Sequence, residues 1–204
     1  AVLVLGSFME DTVDYVIDNE FQRAQRQDVT LTFVEKRSAE AMYDAAHLPG
    51  VTRVEPFRAV PVRLEHGRNT YRTAIMGLTA QPQLFRVLDD RQQPIRLPPR
   101  SGLTVTQKLA EMLDAKRGDV LTIEVLEGER VRRQLPITNV FPNFTEPGVY
   151  LNHRDLHRLL HESDVLSGVY LSVDPEKIDD MYREVKQTPA VAGVTDKRAA
   201  MQNF

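Results

Sequence analysis

The chain has 204 residues, of which 42% are hydrophobic and 27% are charged, and its formal net charge is −3 at pH 7. These proportions are typical of a folded globular protein, and the acidic balance argues against a broad nucleic-acid-binding surface, which needs clustered Lys and Arg. The sequence contains no cysteine, which excludes disulfides, thiol catalysis and cysteine-ligated zinc.

The N-terminal region is predicted to form an amphipathic helix, because apolar residues recur at helical spacing from Met9 to about residue 26. The apolar opening 1–5 is far shorter than the ~20 residues that cross a bilayer. It is expected to be either the cut end of a longer apolar segment or a buried N-terminal strand. Residues 1–26 are therefore predicted as an N-terminal stalk helix, or alternatively as a helix packed on the domain.

Residues 29–54 are predicted to form a strand, a helix and a second strand, with Ser38 as the N-cap of the helix. The second strand carries Pro56 and Pro61, which indicates an edge or bulged strand. It is expected to turn back as a β-hairpin over 53–78.

Residues 79–165 follow a different pattern and are predicted to form a small mixed α/β subdomain. A short helix or turn is expected over 81–90, and a hairpin of two strands within 120–140. Thr106 and Asn152 are the expected N-caps of two short helices. Several strands with two short helices indicate a barrel-like arrangement.

The C-terminal part returns to the strand–helix–strand pattern. Residues 169–173 are the predicted strand, Asp174 the N-cap and Pro175 the first helical residue. Residues 197–204 carry apolar side chains at helical spacing and are predicted as a C-terminal stalk helix. The two terminal helices are expected either to rise from a membrane or to pack on the domain.

Residues 29–54 and 169–194 match as two copies of one β-α-β unit, with the strands offset by 140 positions and the helices by 139. One such unit cannot bury both faces of its sheet, so two copies are expected to pair around one core. The predicted fold class is α+β. It consists of a split ferredoxin-like core, 27–78 and 166–196, and the inserted subdomain 79–165.

Motifs of catalysis and cofactor binding are missing from the sequence. There is no phosphate-binding loop with Gly, Lys and Ser/Thr, no G-x-G-x-x-G after a strand, and no Ser-centred nucleophile elbow. The adjacent carboxylates at 89–90 and 179–180 point to different faces and do not make an acid–base pair. No catalytic residue and no cofactor are predicted, and the chain is not expected to be an enzyme.

His153, His157 and His161 recur at every fourth position along one flank of a predicted helix. Two histidines at this spacing can share a zinc ion, and Glu162 and Asp164 are loose candidates for a further ligand and a general base. Alternatively, the histidines are solvent-exposed polar side chains beside the leucine-lined face of the helix. The second interpretation is favoured, so no metal site is predicted.

Phe141 and Phe144 lie in a proline-rich loop and are the candidate contacts for a partner protein or a substrate. They either form an exposed binding surface or act as a plug that fills the interface between the insertion and the core, and the plug is favoured. Arg130 and Arg132 share one face of a strand. They are interpreted as charged side chains on a solvent-exposed sheet edge, where charge prevents pairing with another chain.

Short motifs spread along the chain carry a family resemblance. They are Leu48-Pro49-Gly50-Val51 with Val54 and Pro56, Ile75-Met76-Gly77-Leu78, Gly102-Leu103-Thr104-Val105-Thr106-Gln107-Lys108-Leu109-Ala110 with Leu113 and Gly118-Asp119, and Pro189-Ala190-Val191 with Val194. With these motifs the chain resembles the extracytoplasmic domain of MacB/FtsX-type (LolC-like) ABC transporter permeases. Gly193 does not sit where the first copy has its glycine, so the closing motif fits only in part.

The resemblance implies a periplasmic domain of a cell-membrane protein, placed between the first and second transmembrane helices and built on a porter-like split core. It implies no active site in this domain, because ATP is hydrolysed by a separate cytoplasmic ATPase subunit or domain whose cycle moves it. The implied partners are that ATPase, a periplasmic partner protein or exported substrate, and a second permease copy. Family members act in export, lipoprotein extraction or signalling to cell-wall enzymes, and the sequence does not choose among them.

Two other hypotheses compete with this interpretation. A soluble ferredoxin-like regulatory module would bind a small ligand between the repeat copies. A hydrolase built on the histidine helix would lose its metal and its activity in a His157→Ala variant.

Overall fold

The computed structural model describes residues 24–143 and 146–196. Its elements, in chain order, are β1 (Val29–Ser38), α1 (Ala41–Ala46), β2 (Val51–His66), β3 (Asn69–Leu78), β4 (Leu103–Thr106), α2 (Gln107–Leu113), β5 (Val120–Val125), β6 (Arg132–Phe141), β7 (Val149–Asn152), α3 (His153–Leu160), β8 (Val165–Val173), α4 (Ile178–Val185) and β9 (Val191–Asp196). The predicted stalk helix 197–204 lies outside the described residues, as does nearly all of 1–26.

Four strands form an open antiparallel sheet in the order β2–β8–β1–β9. Only the first part of β2, residues 51–57, belongs to this sheet. Helix α4 presents Ile178, Met181 and Val185 at helical spacing, and these buried residues pack with α1 and the strands in one apolar cluster. The two β-α-β units therefore share one core.

The rest of β2, residues 58–66, belongs to a closed barrel of six strands. The ring runs β2–β3–β7–β4–β6–β5 and returns to β2. Val60, Val62 and Leu64 alternate along β2, are fully buried, and pack with apolar residues of α2 and α3 in a second cluster. The barrel thus has its own core beside that of the open sheet.

The prolines of β2 mark the positions where this strand changes neighbours. Pro56 pairs with Val169 on one side, where β2 is the outer strand of the open sheet. Pro61 comes immediately before Val62, the first residue of β2 paired with β5. Because proline has no N–H to donate, it fits positions where a ladder bond is not required.

The predicted mixed α/β character is confirmed, but the barrel is larger than the sequence indicates. Residues 58–78, which the sequence groups with the core, supply two of the barrel strands. Alternating apolar residues predict which face of a strand is buried, but they do not predict which sheet buries it.

Two predicted helix caps are confirmed and two are displaced. Thr106 Oγ1 accepts from Leu109 N at 3.3 Å, and Asn152 Oδ1 accepts from Arg154 N at 3.1 Å. Ser38 instead ends β1, and α1 begins three residues later.

Asp174 also lies outside its predicted cap position. Its Oδ1 accepts from Glu176 N at 3.0 Å, and α4 begins at Ile178. The side chain stabilises a turn before the helix, which is an alternative use of the same acceptor.

Candidate functional site

The candidate site lies where β2 passes from the open sheet into the barrel, at Phe57 and Arg58. Alternation along the strand sends these two side chains to opposite faces. Arg58 continues the inward series of Val60 and Val62, yet it is a charged residue with only 3% of its surface exposed. A buried charge is costly unless it is paired and hydrogen-bonded, so its partners define the site.

The guanidinium group of Arg58 is surrounded by acceptors. Nε donates to Glu162 Oε2 at 3.2 Å and Nη2 to Glu162 Oε1 at 3.0 Å, which is a two-point contact. Nη2 also contacts a carboxylate oxygen of Glu127. Nη1 donates to Ser167 Oγ at 3.1 Å and to Ala59 O at 3.0 Å.

These partners come from separate elements of the fold. Glu127 lies between β5 and β6, and Glu162 follows α3, whereas Ser167 lies in β8 and Lys36 in β1. Lys36 forms an ion pair with Glu162. We call Arg58 and these four residues the joint. It connects the barrel to the open sheet around one buried cation.

The hydroxyl of Ser167 fixes β8 to β2 at the crossing. It donates to Ala59 O at 3.2 Å and accepts from Ala59 N and Arg58 Nη1, both at 3.1 Å. One donor and two acceptor positions are the full capacity of a hydroxyl group. Ser167 therefore replaces a backbone ladder bond and holds the arginine at the same time.

Burial works against the charges of the joint, but their mutual contacts outweigh it. Burial alone would raise the pKa of Glu162, whereas the hydrogen bonds from Arg58 and Lys36 lower it, and the pKa lies below its ordinary value. Burial would lower the pKa of Arg58, and its hydrogen bonds to Glu162 and Glu127 raise it. Both groups are thus held charged, which suits a structural ion-pair network and not a proton donor.

An aromatic cluster lies beside the crossing. The ring centroids of Phe57 and Tyr170 are 4.6 Å apart, and those of Phe85 and Tyr170 are 5.0 Å apart. Both pairs are stacked, which adds to the apolar burial. Burial raises the pKa of Tyr170 well above its usual range.

Phe141, one of the two predicted contact residues, lies in this aromatic region. It is only 2% exposed and its ring centroid is 6.1 Å from that of Tyr150. It packs in a cluster with Phe57 and apolar residues of the connection 79–102. This is the packing expected of the plug. Phe144 lies outside the described residues, and a contact role for either residue stays a prediction.

The histidines on α3 contact backbone carbonyl groups. His153 Nδ1 lies 3.2 Å from Leu78 O, and His157 Nε2 lies 2.7 Å from Val165 O. Carbonyl oxygens only accept, so these ring nitrogens donate. Burial lowers the pKa of His153, and the exposed His161 caps the C-terminal end of α3. Within the described ranges, no group of three His, Cys, Asp or Glu side chains could hold a metal ion.

Sequence reasoning did not find the joint, although one signal was present. Arg58 occupies an inward position of an alternating strand otherwise filled by Val60, Val62 and Leu64. A charge at a core position requires partners. The identity of those partners could not be read from the sequence, because Glu127 and Glu162 are distant in the chain.

The fold, a closed barrel and an open sheet connected by one shared strand, is similar to that of two solved domains of ABC transporters. The extracellular domain of the noncanonical ABC-type transporter YknZ from Gram-positive bacteria is 12% identical with a TM-score of 0.50, over 82% of this chain and 99% of that one. The periplasmic region of MacB from Actinobacillus actinomycetemcomitans is 8% identical with a TM-score of 0.52, over 92% of this chain and 96% of that one. No protein-family model and no curated protein sequence matches the chain.

The predicted resemblance to the extracytoplasmic domain of MacB/FtsX-type permeases is thus confirmed at the level of the fold. In the part of the chain that the structure describes, no helix is both long and apolar enough to span a bilayer.

Proposed function

We propose that the chain is the extracytoplasmic domain of an FtsX-like ABC transporter permease and has no catalytic activity of its own. The observation that carries this proposal is the likeness in fold to the periplasmic region of MacB over 92% of the chain. The engaged ring nitrogens of His153 and His157 and the fully paired Arg58 favour a non-catalytic role.

The proposed role is to couple ATP hydrolysis by a cytoplasmic ATPase to substrate export or to activation of a partner protein outside the membrane. A domain that transmits movement has to move as one body. The joint supports this role, because Arg58 draws acceptors from the barrel and from the open sheet together. Movement applied to one unit would then reach the other.

We further propose that residues 27–78 and 166–196 form a split ferredoxin-like core, of which the open sheet with α1 and α4 is the β-α-β part. Residues 79–165 are then an insertion whose strands close the barrel with β2 and β3 of that core. The strand order β2–β8–β1–β9 supports this assignment, because each β-α-β unit places its two strands in parallel with one antiparallel strand between them.

The loop 141–148 is the proposed contact for a periplasmic partner or substrate.

The proposal is tested on the full-length gene product that contains this segment. It should be retained in the membrane fraction and should co-purify with an ABC ATPase, and a wholly soluble product without an ATPase would contradict it. Arg58→Met should then reduce substrate-dependent ATP hydrolysis, while the amount of the permease in the membrane fraction stays unchanged. Arg132→Met, at a surface pair with Glu65, is the matched control.

A further inference from the structure

A cleft between α3 and β6 lies away from the joint. It encloses about 440 Å³, which is within the range of small-molecule binding sites. Leu135, Leu151 and Leu159 line it, and the exposed surface of its walls is mostly apolar. The one hydroxyl on β6, that of Thr138, is already used, since it donates to Leu103 O at 3.3 Å.

Three arginines line the same cleft: Arg100, Arg133 and Arg158. Within residues 24–143 and 146–196, the guanidinium groups of Arg100 and Arg133 have no carboxylate partner. Asp155 also lines the cleft, so these four groups together carry two positive charges in a chain whose net charge is −3. The cleft is therefore a local cationic site on an acidic protein.

Asp155 holds this arrangement in place. Its Oδ2 accepts from Arg100 N at 2.5 Å, and its Oδ1 accepts from Arg158 Nη1 at 3.0 Å. Arg100 has a φ of +62°, a left-handed conformation that costs roughly 1 kcal/mol or more for a residue with a side chain. The contact with α3 thus keeps Arg100 beside the cleft in a conformation that it would otherwise leave.

We propose that this cleft binds a single-chain anionic amphiphile, with the carboxylate or phosphate headgroup at the arginines and the alkyl chain against the leucines. Guanidinium groups bind such headgroups by charge-assisted hydrogen bonds. An acidic peptide fits less well, because its backbone amides would be desolvated on leucine side chains that offer no hydrogen bonds. A nucleotide fits less well too, since no Phe, Tyr or Trp lines the cleft and His161 is the one aromatic ring among its lining residues.

Binding is measured by isothermal titration calorimetry on the 204-residue chain, with hexanoate, octanoate and decanoate kept below micelle formation. Each methylene that is buried against the leucines should tighten Kd about fourfold. Octanol, which lacks the charge, should bind much more weakly than octanoate. Octyl phosphate distinguishes a phospholipid-like source from a free fatty acid, according to which headgroup binds more tightly.

Two variants test the two halves of the cleft. The double variant Arg133→Gln/Arg158→Gln should weaken octanoate binding about tenfold or more. Arg117→Gln/Arg154→Gln removes the same charge from exposed positions outside the cleft and should leave Kd unchanged. Leu159→Gln should abolish the chain-length dependence while retaining the preference for an anion. Thermal unfolding of each variant verifies that it is folded.

Several results would overturn the inference. These are the absence of saturable binding for all three acids, equal affinity for hexanoate and decanoate, and equal weakening in both double variants. Hexaglutamate that binds in place of the acids, with the same dependence on Arg133 and Arg158, would assign the cleft to an acidic peptide instead. None of these results depends on membrane retention or ATPase binding, so this inference and the transporter proposal can fail separately.

Discussion

The barrel and the open sheet bury their cores in different ways. The barrel closes on itself, so each of its six strands has a neighbour on both sides and most of its inward apolar residues are buried. The open sheet ends at β9, which pairs with β1 and is largely exposed. A closed sheet has no free edge, whereas an open one depends on what packs against it. The stability of the open sheet therefore depends on α1, α4 and its connection to the barrel.

The largest expected effect is that of a side chain added at the crossing. A Cβ on Gly168 would lie 2.2 Å from Leu31 O and 2.5 Å from the ring of Phe57, so the backbone itself would have to shift. Gly168→Ala should lower the free energy of unfolding by about 3 kcal/mol or more, measured by urea denaturation.

Gly193→Ala is the matched control for this change. Gly193 lies on the exposed strand β9, and nothing lies within 4 Å of its added Cβ. Its free energy of unfolding should change by no more than about 0.5 kcal/mol. Similar losses in the two variants would refute the view that the crossing is tightly packed and the edge is open.

The next largest effect comes from removing the cation of the joint. Arg58→Met leaves Glu162, which is 13% exposed, without its two-point partner and should cost about 3 kcal/mol. Arg132→Met removes an arginine that is 62% exposed and should cost no more than about 1 kcal/mol. Urea denaturation measures both, and equal costs would show that burial of Arg58 does not matter to stability.

The charge of Glu162 makes stability depend on pH. Because its pKa is lowered in the folded state, its contribution is fully present above the ordinary carboxyl pKa and is lost as pH falls through the folded-state pKa. Unfolding free energies between pH 7 and pH 3 should therefore fall less steeply in Glu162→Gln than in the wild type. Glu176→Gln, at an exposed position, is the control. An equal reduction of the pH dependence of unfolding in both variants would contradict the assignment of this dependence to Glu162.

The smallest expected effect distinguishes a used helix cap from an unused one. Thr106 Oγ1 accepts from both Leu109 N and Gly148 N, so Thr106→Ala should cost about 1 to 2 kcal/mol. Ser38 lies at the end of β1 and does not cap α1, so Ser38→Ala should change stability by only a few tenths of a kcal/mol. Thermal denaturation compares them, and an equal loss would favour the predicted cap at Ser38.

The sequence predicted the local elements better than their assembly. Repeating apolar positions indicated the strands and helices of both β-α-β units, and the caps at Thr106 and Asn152 followed from side-chain chemistry. A barrel-like arrangement was expected for residues 79–165, but the contribution of residues 58–78 to the closed ring was not, because β2 belongs to two sheets and its alternating pattern is the same in both. Strand order is set by packing between distant segments, which local patterns do not contain.

The candidate site was less predictable than the fold. The plug position of Phe141 could be expected from its apolar, proline-rich surroundings, and the structure buries it. The joint could not, because its partners come from four separate elements. Asp174 shows the same limit locally, since a side-chain acceptor before a helix can stabilise a turn instead of a cap.

Native-state hydrogen exchange in the wild type and in Arg58→Met tests the central claim, that the joint makes the barrel and the open sheet one cooperative body. In the wild type, amides of β8 and of the barrel part of β2 should open with the same free energy. In Arg58→Met, the open-sheet amides should exchange at a lower free energy than the barrel amides. If the two regions open separately in the wild type, or stay equal in the variant, the joint does not unite them.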